Sequence, residues 1–420
     1  MKVVGIIAEY NPFHNGHLYQ IEQARSLSHA DYVIVVMSGD HVQRGMPALL
    51  DKYARARMAL ANGADLVLEL PLYYACSSAQ YFASGAVSLL HHLGVVDSLC
   101  FGSEYGQIDV LSMIAHALYQ ESETYSICLR NYLAAGKPYP EARMLALLDT
   151  LPKSRNNDDS DIYNILSAPN NILGIEYLKA LMTCQSDIIP CTVKRLGSAY
   201  HDTQLVDSLS SAAAIRDALR QNVDLTLLKS HMPASAYQII QEYTQEAPFL
   251  FPDDYSQLLH YKLLLDAPVG YTAYADVSEE LSNRIVNYLP QYTELSEFIN
   301  LLKTKDITYT RISRCLLHIL LDMKQDMMQA CCHDGYAHYA RILGFQQAST
   351  PLLSAIKQNA SIPLISKLAD AKFLLSDRPI AYTLLQADLR ASLIYHSGMA
   401  NLSRFEQPPY NEYTHNLILL

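Results

Sequence analysis

The sequence predicts an α/β protein, with a Rossmann-like parallel-sheet domain in residues 1–223 and a mostly α-helical domain in residues 224–420. Three observations carry that prediction. In the first half, short β-branched apolar runs alternate with longer amphipathic stretches. After about Asp224 the strand signals thin out and helical spacing dominates. The first apolar run, Val3 to Ala8, breaks into Asn-Pro and Asn-Gly turn residues before helical spacing resumes at Leu18.

Taken in order, strands are expected at Val3 to Ala8, Tyr32 to Met37, Leu66 to Leu70, Ser98 to Phe101 and Ile188 to Val193. Helices are expected between them at Leu18 to Ser28, Leu50 to Ala61, Ala79 to His92, Val110 to Tyr119 and Ile172 to Thr183. Such alternation builds a parallel sheet, and ligands bind beyond the carboxyl ends of its strands. His14, Ser38-Gly39, Gly102-Ser103 and Arg195 all fall there. Thr150 to Asp161, with Pro152, Asn156 and Asn157, reads as an exposed loop. The second half offers helices at Ala234 to Glu246, Tyr255 to Leu265, Ser278 to Tyr288, Ile312 to Leu321 and Pro379 to Tyr395.

Composition narrows the class. A net charge of −11 argues against a protein coated with basic surface for nonspecific nucleic-acid binding. Local basic patches remain: Arg44 with Lys52, Arg55 and Arg57, then Lys303, Lys305, Arg311 and Arg314 beside Tyr309, each either a solvated helix face or an RNA surface. No apolar run approaches the ~18 residues that cross a bilayer, so no membrane partner is expected. Glu9 and an opening strand stand where a signal peptide would need a long apolar region, and a cytoplasmic location is expected. The eight cysteines lack a CxxC pair, which fits reduced thiols. Cys331-Cys332-His333 lacks structural zinc spacing and reads as a helix end.

The chemistry concentrates where the first strand stops. A strand-to-helix junction presents unpaired backbone N–H groups and the positive end of a helix dipole, both suited to phosphate oxygens. His14 and His17 add donors to the same place, and Gly16 between them removes a Cβ that would hold a nucleotide away. Gln43 and Arg44, after the second strand, supply donors for phosphate or a base. Gly102 would let a base or ribose lie against backbone. Asn170 and Asn171 open a helix, one as its cap. Arg195 ends the fifth strand, placed for phosphate or carboxylate. Ser210-Ser211 start a further helix, either as a cap or as phosphate ligands with Arg216 one turn inside.

His14-Asn15-Gly16-His17 matches the HxGH signature of the nucleotidyltransferase superfamily, and Ser211 with Arg216 resembles its second phosphate-binding motif. The combination of GIIAEYNPFHNGH, the VQRG loop, NGADLVLELP, FGSE, PNNILGIEY and KRLGSAYHD resembles the bacterial tRNA(Met) cytidine acetate ligase family. The likeness is dense through the first half and looser through Tyr309 to Arg314 and Tyr339 to Phe345. Asp40-His41 and Met46 depart from the family pattern.

The resemblance implies an ATP-dependent ligase that activates acetate as acetyl-adenylate and transfers acetyl to N4 of the wobble cytidine of elongator tRNA(Met). It implies catalytic roles for His14 and His17. It implies ATP binding by Ile7, Ala8, Glu9, Tyr10, Asn11, Pro12, Phe13, His14, Asn15, Gly16, His17, Leu18, Tyr19 and Gln20, with Gly102, Asn170 or Asn171, and Arg195. Magnesium is expected to bridge the phosphates, with no ligand identified by the sequence. Arg311 and Arg314 are the candidates for tRNA contact. Rival readings are another small-carboxylate ligase or adenylyltransferase of the superfamily, and a non-catalytic RNA-binding adaptor.

Overall fold

All five expected strands form, and they lie side by side and mutually parallel within one sheet. The computed structural model describes residues 1–151, 159–195, 210–400, 402 and 410–420. Its strands are β1 (Val3–Ala8), β2 (Tyr32–Ser38), β3 (His41–Val42), β4 (Met46–Pro47), β5 (Leu66–Leu70), β6 (Ser98–Ser103), β7 (Ile189–Lys194), β8 (Ala340–Phe345), β9 (Leu364–Ile365) and β10 (Ile418–Leu419). The main sheet runs β10-β8-β5-β2-β1-β6-β7, with β9 also on β8. From β5 to β7 every pairing is parallel. β3 and β4 make a separate hairpin.

β1 and β2 are buried on both faces, which is why they read as continuous apolar runs instead of alternating ones. Val3 and Ile7 face one core, with Ile34, Val36 and Phe101. Val4 and Ile6 face the other, with Val33, Val35 and Cys100. Helices α1 (Asn15–Ser28) and α2 (Lys52–Ala61) cover the second face. After the short α3 (Leu72–Ala75), α4 (Ala79–His92) and the helix Pro169–Thr183 cover the first.

The second half is mostly helical, but its chain returns to the sheet. β8 runs antiparallel to β5, and β9 and β10 pair with β8, so the sheet crosses the expected boundary at residue 223. The β8 strand escapes a pattern-based reading because Arg341 and Gly344 interrupt its apolar run. Arg341 is buried there only because ion pairs satisfy it: Nη1 lies 2.8 Å from Glu69 on β5, and Nη2 2.6 Å from Glu412. Lys52 joins the same cluster, 2.9 Å from Glu69 and also paired with Glu412. Burial alone would push the Asp40 carboxyl up, yet Lys52 and Ser392 hold it well below the usual carboxylate range.

This cluster corrects one expectation. Lys52 and Arg55 are fully buried, and Arg57 pairs with Glu242 at 2.7 Å, so these residues form no RNA-facing patch. Segments 123–134 and 139–150, unassigned by pattern, are helices. Most of the expected loop at 150–161 lies outside the described residues; Asp159–Ser167 is a helix. Cys331 and Cys332 sit at the end of a helix, Gln325–His333, with Cys331 buried. Among the described residues no helix is long and apolar enough to cross a membrane.

Candidate active site

Beyond β1 the chain turns sharply, with Tyr10 in left-handed backbone conformation at φ 47°. The Tyr10 and Phe13 rings are buried and pack 4.8 Å apart, fixing the entry to α1. His14 is the N-cap of that helix. Its Nδ1 accepts the backbone N–H of Gly16 at 3.0 Å, while Nδ1 of His17 accepts the backbone N–H of His14 at 3.2 Å. The two histidines thus form a reciprocal capping box, in place of the usual Ser/Thr and Glu.

That box fixes their chemistry. A backbone N–H can only donate, so both Nδ1 atoms are unprotonated and each neutral ring carries its proton on Nε2. Burial, aided by Arg195 and Arg216, pulls the His14 pKa down to about 3. Burial, then His14 and Arg195, lower His17 well below the usual value. Near neutral pH the site therefore holds two neutral imidazoles, stacked 3.7 Å apart, each with one N–H to donate.

A single cleft across the carboxyl ends of the strands gathers most of the expected nucleotide residues. Ile7, Ala8, Glu9, Tyr10, Asn11, His14, His17 and Gln20 line it, together with Gly102, Asn170, Arg195, Ser211 and Arg216. Gly16 and Tyr19 line its extension toward Lys194 and Ser210. Pro12, Phe13 and Leu18 pack beneath or beside it instead. Asn15 is turned away, with Nδ2 donating to the Ser230 carbonyl at 2.9 Å.

The two asparagines separate. Asn170 lines the cleft and donates through Nδ2 to Glu104 at 2.7 Å. Asn171 is buried, and its Oδ1 accepts the Tyr105 backbone N–H at 3.1 Å, a structural task. Ser211 caps the helix Ala212–Arg220, accepting from Ala214 at 3.1 Å, and still lines the cleft. One turn on, Arg216 donates to the Asn11 carbonyl at 2.6 Å. Arg55 supports the floor from below, donating to the carbonyls of Glu9 at 2.7 Å and Ser38 at 3.0 Å and also to that of Gly39. It thereby ties together the ends of β1 and β2.

Sequence reasoning missed the apolar wall, where Phe82, Leu173 and Tyr177 line the cleft from α4 and the helix Pro169–Thr183. Nothing in their helical spacing distinguishes them from ordinary core. Arg311 and Arg314 lie on the helix Tyr309–Leu320, 3.3 and 3.8 Å from Asp276. The Arg311 side chain is 39% exposed, whereas that of Arg314 is 15% exposed.

The chain as a whole is similar to proteins of known class. Residues 1–408 match the HIGH Nucleotidyl Transferase family. A tRNA(Met) cytidine acetate ligase of Acetivibrio thermocellus is 39% identical over the whole of both chains. That of Alkaliphilus metalliredigens is 38% identical over 96% of this chain and 95% of its own. This chain belongs to the tRNA(Met) cytidine acetate ligase family. Among solved structures of that family, Thermotoga maritima TmcAL bound with alpha-thio ATP aligns over the full length of both chains at 31% identity and a TM-score of 0.91. The apo form of the same protein aligns over the full length with a TM-score of 0.94. The ligase-family fold therefore includes the second half and the strands it returns to the sheet.

Proposed function

We propose that this chain activates acetate with ATP and passes the acetyl group to N4 of the wobble cytidine of elongator tRNA(Met). The observation that carries the reading is the cleft: paired neutral imidazoles at a helix N-terminus, with Arg195, Arg216 and Ser211 around them, in a chain matched end to end by ligases of that name. A carboxylate oxygen of acetate attacks the α-phosphorus, the bond to pyrophosphate breaks, and pyrophosphate leaves with the electron pair. Charge grows on the phosphate oxygens, where preorganised N–H donors stabilise it most. The step needs no protein nucleophile.

In the second step the cytidine amine adds to the acetyl carbonyl, loses a proton, and AMP departs. Magnesium, where it takes part, would be held by the phosphates with Glu9, the one carboxylate among the described lining residues. The ion would lower the charge of the triphosphate. Arg311, the more exposed of the two arginines, is the better placed for the tRNA backbone. On this reading the enzyme works in the cytoplasm, alongside its tRNA substrate.

The adenylation half is tested by the nucleotide products. Acetate added to protein and ATP, with tRNA present, should yield AMP and pyrophosphate in equal amounts. Release of ADP and phosphate instead would exclude an acetyl-adenylate.

A further inference from the structure

Among the described residues three guanidinium groups line the cleft, and the sheet order divides them. Arg195 follows β7, on the same flank of β1 as Gly102 and Asn170. Arg216 reaches in above the histidine turn, bonded to the Asn11 carbonyl. Arg44 comes from the turn between β3 and β4, after β2, on the opposite flank of β1.

The Arg44 turn is held from two sides. The backbone N–H of Gln43 donates to Glu9 Oε1 at 2.8 Å. Ser313 Oγ donates to the Gly45 carbonyl at 2.8 Å. Gly45 has φ +75°, and a Cβ there would fall 2.4 Å from the Arg314 backbone nitrogen, so only glycine lets the turn seat against that helix. A cation so fixed costs little to orient when a ligand arrives.

Adenylation brings two anions together, and a cation on the carboxylate's own side lowers the repulsion between them. Phosphate chemistry accounts for the histidines, Ser211, Arg216 and Arg195. We propose that Arg44 binds the carboxylate of acetate, with the Gln43 side chain beside it, and so defines the acyl subsite on the β2 flank. This rests on the ligase reading above. One acetate oxygen stays on the guanidinium while the other forms the bond to the α-phosphorus and pyrophosphate leaves. Ser313 is a positioning residue that acts through Gly45.

The test is acetate-dependent pyrophosphate release with saturating tRNA, comparing wild type with Arg44→Ala, Arg44→Lys and Ser313→Ala. Loss of a charge-assisted pair predicts a KM for acetate raised by about 10- to 100-fold in Arg44→Ala, with the KM for ATP within about threefold. Arg44→Lys should recover part of the loss, and Ser313→Ala should raise the acetate KM less, with the ATP KM unmoved. If Arg44→Ala does not fold, the same criteria apply to Arg44→Lys, which keeps the charge but not the planar fork. Equal rises for acetate and ATP would make Arg44 a phosphate contact, and a rise confined to tRNA would make it an RNA contact; either overturns the proposal. Wild-type protein releasing no pyrophosphate with acetate would sink the ligase reading itself.

Discussion

His17 accepts the backbone N–H of His14 through Nδ1 at 3.2 Å, and His14 returns the arrangement by capping Gly16. One pair of side chains thus both closes the helix N-terminus and lines the cleft with Nε2–H donors, where the proposed reaction puts the triphosphate. Structure and catalysis can be separated by substitution. Asparagine is among the best N-cap residues, so His14→Asn should keep stability within about 1 kcal/mol of wild type. It removes a preorganised donor, and adenylation should fall by at least ~100-fold. Urea unfolding together with pyrophosphate release checks both halves; a large stability loss with retained turnover would reduce His14 to a cap.

The depressed histidines also set a pH dependence. The folded-state pKa of His14 is about 3 against 6.5 for the unfolded chain, so between those values the unfolded state binds a proton that the folded state does not. Stability from this group is fully present above pH 6.5 and is lost as pH falls toward 3. Bound ATP, a polyanion, should raise the histidine pKa values and flatten the slope. Denaturation midpoints between about pH 5 and 7.5, with and without nucleotide, measure this; identical slopes would place the triphosphate away from the imidazoles.

Gly102 offers a cleaner probe of the nucleotide pose. A Cβ added there meets nothing closer than 3.4 Å, an ordinary contact with Arg195. Gly102→Ala should therefore fold normally and bind ATP at least several-fold more weakly, as a methyl would occupy space that the proposed pose gives to the base or ribose. Calorimetric titration with unchanged affinity would move the nucleotide off this strand.

Lys52 should matter for the fold instead of the reaction. Lys52→Met leaves Glu69 and Glu412 with one cation fewer in a fully buried cluster. Breaking such a cluster costs about 3–5 kcal/mol. The variant should lose that much in urea unfolding while any folded fraction retains its KM for ATP; a near-neutral effect would show that water reaches the cluster.

Much of this was legible in the sequence because the parallel strands are buried on both faces and punctuated by turns. Val3–Ala8 and Leu66–Leu70 read at their observed boundaries for that reason. β8 did not, since its buried Arg341 makes sense only once Glu69 and Glu412 are seen beside it, 272 and 71 positions away. The same limit hid the apolar wall of Phe82 and Tyr177, and it made Lys52 and Arg55 look like surface charge. Asn170 and Asn171 are equivalent in sequence; their helical phase alone sends one to the cleft and the other into the core.

The central claim is the fate of the acetyl group, and labelled acetate follows it directly. Purified protein is incubated with ATP, labelled acetate and elongator tRNA(Met), and the tRNA is digested to nucleosides. The account predicts label in N4-acetylcytidine at the wobble position, dependent on ATP and abolished in His17→Ala. Label that stays in acetate or in a nucleotide, with unmodified cytidine at that position, would contradict it.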